Sequence, residues 1–203
     1  MIGRLLHWFY CLNFPEALMV IALPSVLFSL ADNRWHRRIL WRICTATVLV
    51  ALTAVILYTT LGNRSSVDHP AHCFIPFGSY REAKATGNLE IYRSNLMNVL
   101  LFYPAGLLTV SLLPRKWPDW CRCLLSVTVL AACSAGIEFV QYCGCLGRCE
   151  IDDMIHNTTG ALLGCLAALW LSSVCRKILP HFLRLWQPTE GPPSDIGENP
   201  PEF

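Results

Sequence analysis

Charge is what this sequence lacks most. Asp, Glu, Lys and Arg make up 15% of its 203 residues, while 54% are hydrophobic; ordinary soluble domains carry about 25% charged residues. So little polar surface cannot coat a water-soluble globule, which excludes that class. A basic face is missing as well: the 16 Lys and Arg residues are scattered between apolar blocks and the net charge is +2, so nothing is offered to a nucleic-acid backbone. No phosphate-cradling glycine loop, HExxH pair or GxSxG elbow occurs, and no repeat of 20 to 50 residues is visible. Alternating ten-residue segments are also absent, which excludes a membrane β-barrel. Cysteine is plentiful at 11, but most of it lies inside or at the ends of apolar runs, where it acts as a small hydrophobe rather than as a disulfide framework.

What is present is a set of long apolar runs, at residues 44–61, 95–113, 121–143 and 155–175. In hydrocarbon the backbone must satisfy its own donors and acceptors, so each run is expected to be a spanning helix. A fifth run, residues 17–31, reaches only about 22 Å against a core of roughly 30 Å. Extended back to residue 5, with Pro15 and Pro24 as expected kinks, it becomes a bent first span. The expected fold is therefore an all-α, multi-pass transmembrane helical bundle of about five spans.

Orientation follows from the basic residues. Arg34, Arg37, Arg38 and Arg42 cluster directly after the first run, and such clusters stay on the cytoplasmic side. Cleavage of the first run as a signal peptide would put them outside, and residues 29–32 are a poor cleavage site. Fixing that turn inside also places Arg115, Lys116, Arg122, Arg176, Lys177 and Arg184 inside. The outer side keeps Arg4, Arg64, Arg81, Lys84, Arg93 and Arg148. The N-terminus is then outside and the C-terminus cytoplasmic. Three segments result: a first span with its basic turn at 1–38, a membrane domain at 39–178, and a tail at 179–203. From residue 187 onwards the tail is Pro-rich and acidic, and is expected to be disordered.

Three spans carry polar groups at one depth, near the outer leaflet. Asn95 and Asn98 begin one span, Glu138 and Gln141 end the next, and Asp152, Asp153 and Asn157 begin the last. A charge at the centre of a spanning helix costs about 2.5 to 3.5 kcal/mol, so Glu138 needs a partner or a wet cavity, and Arg148 in the short outer turn is the nearest candidate. Asn95 and Asn98 share one helix face with Phe102, Glu138 and Gln141 share another, and the two pairs can face each other. Gly160 and Gly164 form a GxxxG face suited to close helix approach, either within the chain or against a partner helix. Pro104 and Gly106 are expected to bend their span and help to open the outer cavity.

Two readings stay open for this cluster, helix–helix glue and a ligand site. Metal is not expected, because the spacing of Cys143, Cys145 and Cys149 is not a zinc pattern even with His156 nearby. No cofactor is expected either. In an oxidising exterior, Cys73 is a candidate to pair with one of that trio. A lone His156 reads as an interfacial hydrogen-bonder.

The blocks Ile75-Pro-Phe-Gly-Ser79-Tyr80, Asn95-Leu-Met-Asn98-Val-Leu-Leu-Phe-Tyr-Pro104-Ala-Gly106, Ile137-Glu138-Phe-Val-Gln141 and Arg148-Cys-Glu-Ile-Asp152-Asp153-Met-Ile-His-Asn157-Thr-Thr-Gly160 occur in this order. In them the chain resembles the VanZ-like family over about residues 40 to 175. It departs from that family's usual pattern at Cys149 and Glu150, where an aromatic residue and Asp commonly follow the Arg. The resemblance implies a multi-pass bacterial cell-membrane protein whose namesake is associated with low-level resistance to the glycopeptide teicoplanin, and it carries over no catalytic residue. The expected function is binding of an amphiphilic envelope molecule, a lipid-linked precursor or a lipoglycopeptide, at the polar cluster beneath the loop at 62–94. The alternatives are an intramembrane hydrolase or transferase using Glu138 and an Asp, and an assembly subunit using the glycine face. Subunit number is not legible.

Overall fold

The computed structural model describes residues 14–62 and 71–185. The expected extension of the first span back to residue 5 and the Pro-rich tail from residue 187 lie outside the described residues. Among the described residues lie six α-helices: α1 (Phe14–Trp35), α2 (Ile39–Leu57), α3 (Gly78–Thr86), α4 (Leu89–Leu112), α5 (Asp119–Cys143) and α6 (Ile151–Leu185). Among the described residues, four stretches are long and apolar enough to cross a membrane: Ile39–Gly62, Leu89–Leu112, Asp119–Cys143 and Ile151–Ile178. The protein is an all-α multi-pass membrane bundle, and α1, 22 residues long, runs as one helix through Pro24.

The helices begin earlier than the apolar runs do, and at α4 a polar side chain caps the start. The Asn88 side chain accepts the Glu90 amide at 3.0 Å, so α4 starts a turn and a half before the expected residue 95. Asp152 and Asp153 fall in the first turn of α6, where carboxylates complement the positive end of the helix dipole. The loop at 62–94 also contains more order than its composition suggests. It holds α3, closed at its C-terminus by left-handed Gly87 (φ 69°), and a strand β1 (Ala71–Cys73). β1 pairs in parallel with β2 (Arg148–Glu150), setting His72 opposite Cys149 and Cys73 opposite Glu150. All described cysteines are free thiols, so the Cys73 disulfide is not formed.

At the centre, α4 and α6 pack backbone to backbone. A methyl group at Gly160, Gly164 or Gly106 would lie about 2 Å from the carbonyl oxygen of Val99, Tyr103 or Ala161 respectively. Only glycine permits this approach. The GxxxG face is therefore filled by α4 of the same chain and is not open to a partner helix. Around the crossing lie two apolar clusters, one of Ile56, Phe102, Ala105, Leu130, Ile137 and Ala161, the other of Leu107, Leu108, Val110, Cys165 and Ala168. Pro104 does not face the polar cluster. It lines an apolar groove of about 300 Å³ with Leu100, Tyr103 and residues of α1, and Gly106 is buried against α6. Both residues thus take part in mid-helix packing.

The end of the bundle rich in arginine is held by buried Asp32, which accepts Trp41 Nε1 at 2.8 Å and the Arg115 guanidinium at 2.6 Å. Arg42 and Arg122 donate to the carbonyls of Leu112 and Val110, which the C-terminus of α4 leaves without helical partners.

Candidate functional site

Antiparallel alternation brings the C-terminal ends of α2 and α5 and the N-terminal ends of α4 and α6 together, opposite the Asp32 end. Here the polar residues meet. Asp152 is 2% exposed, and both of its oxygens face α3. Oδ1 accepts the Phe77 amide at 2.6 Å, and Oδ2 accepts the Ser79 amide at 2.8 Å and the Ser79 hydroxyl at 2.5 Å. Phe77 is left-handed (φ 57°) and α3 has no side-chain cap of its own, so Asp152 supplies that cap from another helix. Asn95 Nδ2 completes the node by donating to Ser79 Oγ at 3.0 Å.

A second tie runs through His156, whose Nδ1–H donates to the Asp152 carbonyl one turn back. A carbonyl only accepts, so Nδ1 carries a proton, and the other ring nitrogen, Nε2, meets the Tyr80 hydroxyl at 2.7 Å. Asn98 Nδ2 donates to Asp153 Oδ1 at 2.7 Å, joining α4 to α6.

The α5 side is a seam of Ser134, Glu138 and Gln141, one face at helical spacing, and all three are buried. Asn157 Nδ2 donates to Ser134 Oγ at 3.0 Å. Glu138, 3% exposed, receives the Glu150 amide on Oε2 at 2.9 Å. Gln141 Nε2 donates at 2.8 Å to the carbonyl of Thr60, which lies in the π-helical turn Tyr58–Gly62 that ends α2. Such a turn shifts the usual helical hydrogen bonds by one residue. Two acceptors remain over: Gln141 Oε1 and Asn157 Oδ1 are buried without a hydrogen-bond donor among the described residues.

Arg148 does not serve as the expected partner of Glu138. Its guanidinium lies 3.0 Å from Glu82 and 3.1 Å from Glu150, fastening α3 to the β2 turn. A hydrogen bond with the Cys73 thiol leads the influences that raise its pKa above the ordinary arginine value; Glu82 and Glu150 add to it and burial opposes. Burial pushes Glu150 above the usual carboxylate range, with Arg148 opposing, and pushes the Cys149 thiol up, with Glu138 adding. The two expected pairs do not face each other either. Asn95 and Asn98 turn to α3 and α6, while Gln141 turns to α2.

All eight residues singled out in the sequence thus lie at one end of the bundle, in three groups: Asn95 with Asp152, Asn98 with Asp153, and the α5 seam with Asn157. Arg148 sits at the margin. Sequence reasoning missed Phe77, Ser79, Tyr80, Glu82, Ser134 and the Thr60 carbonyl. The block at 75–80 was the one hint, since nothing in its composition says which helix its serine and tyrosine reach. Among the described residues no three His, Cys, Asp or Glu side chains are placed to hold a metal ion.

The sequence profile of VanZ/LLP1 matches residues 40–172, which takes in α2 to most of α6 and every group of this site. The chain belongs to the VanZ/LLP1 family. No curated protein and no solved structure matches it. As a VanZ-like protein it is a multi-pass membrane protein whose candidate site lies wholly in the shared domain, while α1 and the tail fall outside it.

Proposed function

We propose that this VanZ-like protein binds the polar head of an amphiphilic bacterial envelope molecule, a lipid-linked precursor or a lipoglycopeptide of the teicoplanin class, at the α5–α6 seam. One observation carries the reading: the seam holds two buried acceptors that no donor among the described residues meets. Gln141 Oε1 and Asn157 Oδ1 are buried and, among the described residues, unpartnered, and the Glu138 carboxylate is buried on the same face. An unmet buried acceptor costs about 1–3 kcal/mol, so a site of this kind favours a ligand rich in N–H, O–H or ammonium donors. Glycopeptides and lipid-linked amino sugars carry such groups. Orientation belongs to the same proposal: the Asp32 end holds the arginines and faces the cytoplasm, the seam faces outward, the N-terminus lies outside and the C-terminus inside.

Catalysis with Asp152 as the base has less support, because both of its oxygens are committed to α3. The test uses a host whose teicoplanin tolerance depends on this protein. Glu138→Gln and Asn157→Leu should abolish protection and binding of labelled teicoplanin by purified protein in nanodiscs, with membrane levels unchanged. Undiminished protection in both variants would overturn the proposal.

A further inference from the structure

The segment ahead of α3 carries an exposed apolar surface. Ile75 and Phe77 are 56% and 55% exposed, and Phe74 beside them is 59% exposed. Large apolar side chains exposed in a contiguous run outside a span mark an interaction surface. The patch continues sideways, since the Phe77 and Tyr80 rings lie 6.2 Å apart and Tyr80 and Tyr92 lie 5.7 Å apart, edge to face. Tyr92 belongs to the first turn of α4, a membrane-crossing helix, so the patch merges with the lipid-facing flank of the bundle.

Its depth is fixed as well. The Phe77 and Ser79 amides are bound to Asp152, and Tyr80 is bound to His156, both in the first two turns of the span Ile151–Ile178. A helix of 28 residues is about 42 Å long, against a hydrocarbon core of about 30 Å and about 40–45 Å with the headgroup layers. Its first turns therefore stand at headgroup level, where aromatic rings concentrate. On α3, Arg81 and Lys84 are exposed, suited to reach lipid phosphates while the apolar side chains point into the acyl boundary.

We propose that the segment from Phe74 to Phe77 dips into the adjacent lipid leaflet and that α3 lies along the membrane interface as a monotopic element. The contact made here is with lipid rather than with a second copy or another protein. This inference stands independently of any ligand at the seam.

The experiment places the photoreactive residue p-benzoylphenylalanine at Ile75, and in a second variant at Phe77, in the full chain reconstituted in phosphatidylcholine and phosphatidylglycerol vesicles. Val50, 69% exposed in mid-α2, is the lipid-facing control, and Glu90, whose side chain is 62% exposed, is the control outside the patch. Irradiation and mass spectrometry should find acyl-chain adducts at positions 75 and 77 in yield comparable to position 50 and well above position 90. Cross-links between two copies at 75 and 77, or yields no higher than at 90 while 50 labels normally, would overturn the proposal.

Discussion

The α4–α6 crossing makes the sharpest demand on single side chains. At Gly164 an added methyl carbon would lie 1.9 Å from the Tyr103 carbonyl oxygen. Unstrained carbon–oxygen contacts of this kind settle at about 3.3–3.6 Å. Gly164→Ala must therefore move the two helices apart by about 1.4 Å, because the atom in the way belongs to the backbone and has no rotamer to escape into. Overpacking of a tight core costs typically 1–3 kcal/mol, and displacement of backbone puts this site at about 3 kcal/mol. The moved helices also carry the Asn98–Asp153 hydrogen bond, so the polar end loosens with the crossing. Gly136 on α5 is the matched control, since a methyl group added there would meet nothing within 4 Å. Gly136→Ala should be neutral, or stabilise by up to about 1 kcal/mol through helix propensity. Unfolding of the purified protein in mixed micelles with increasing dodecyl sulfate, followed by circular dichroism, measures both. Equal midpoints for Gly164→Ala and the wild type would refute the backbone-contact argument.

Two further predictions concern the ends of the bundle. Asp152→Ala leaves the Phe77 and Ser79 amides and the Ser79 hydroxyl without their acceptor. It should cost about 2 kcal/mol, as for a lost helix cap, and speed hydrogen exchange at those two amides well beyond that in α5; exchange at the wild-type rate would show that α3 is held by other contacts. At the other end, burial, with Arg115 adding, pushes His36 below its ordinary pKa of 6.5 despite the opposing Asp32. The folded protein then binds fewer protons than the unfolded chain between that lowered value and 6.5, so stability rises with pH across this window and levels off above it. His36→Asn should flatten that rise in a thermal-melt series; an unchanged slope would assign it to another group.

The sequence alone determined that this is a helical membrane protein. Scarce charge and runs of twenty apolar residues leave helices as the solution, because hydrocarbon offers no partner for an unpaired backbone. It also determined that Asn95, Asn98, Glu138, Gln141, Asp152, Asp153 and Asn157 share one end, since spans that alternate in direction put successive termini at alternate faces. Partner choice was decided only in the tertiary structure. Helical spacing fixes which residues share a face, but not the rotation of one helix against the next or the path of a connecting loop. Arg148 sits closest to Glu138 along the chain, yet the β1–β2 pairing and the docking of α3 bring Glu82 and Glu150 to its guanidinium. Asp152 reads as a stray intramembrane charge until a helix that begins 74 residues earlier places two amides on it. Glycine spacing announced a close contact, and only the folded chain shows α4 filling it. Local chemistry sets the depth and the demand of each polar group, whereas the group that meets the demand comes from a distant stretch whose approach is governed by packing of the whole.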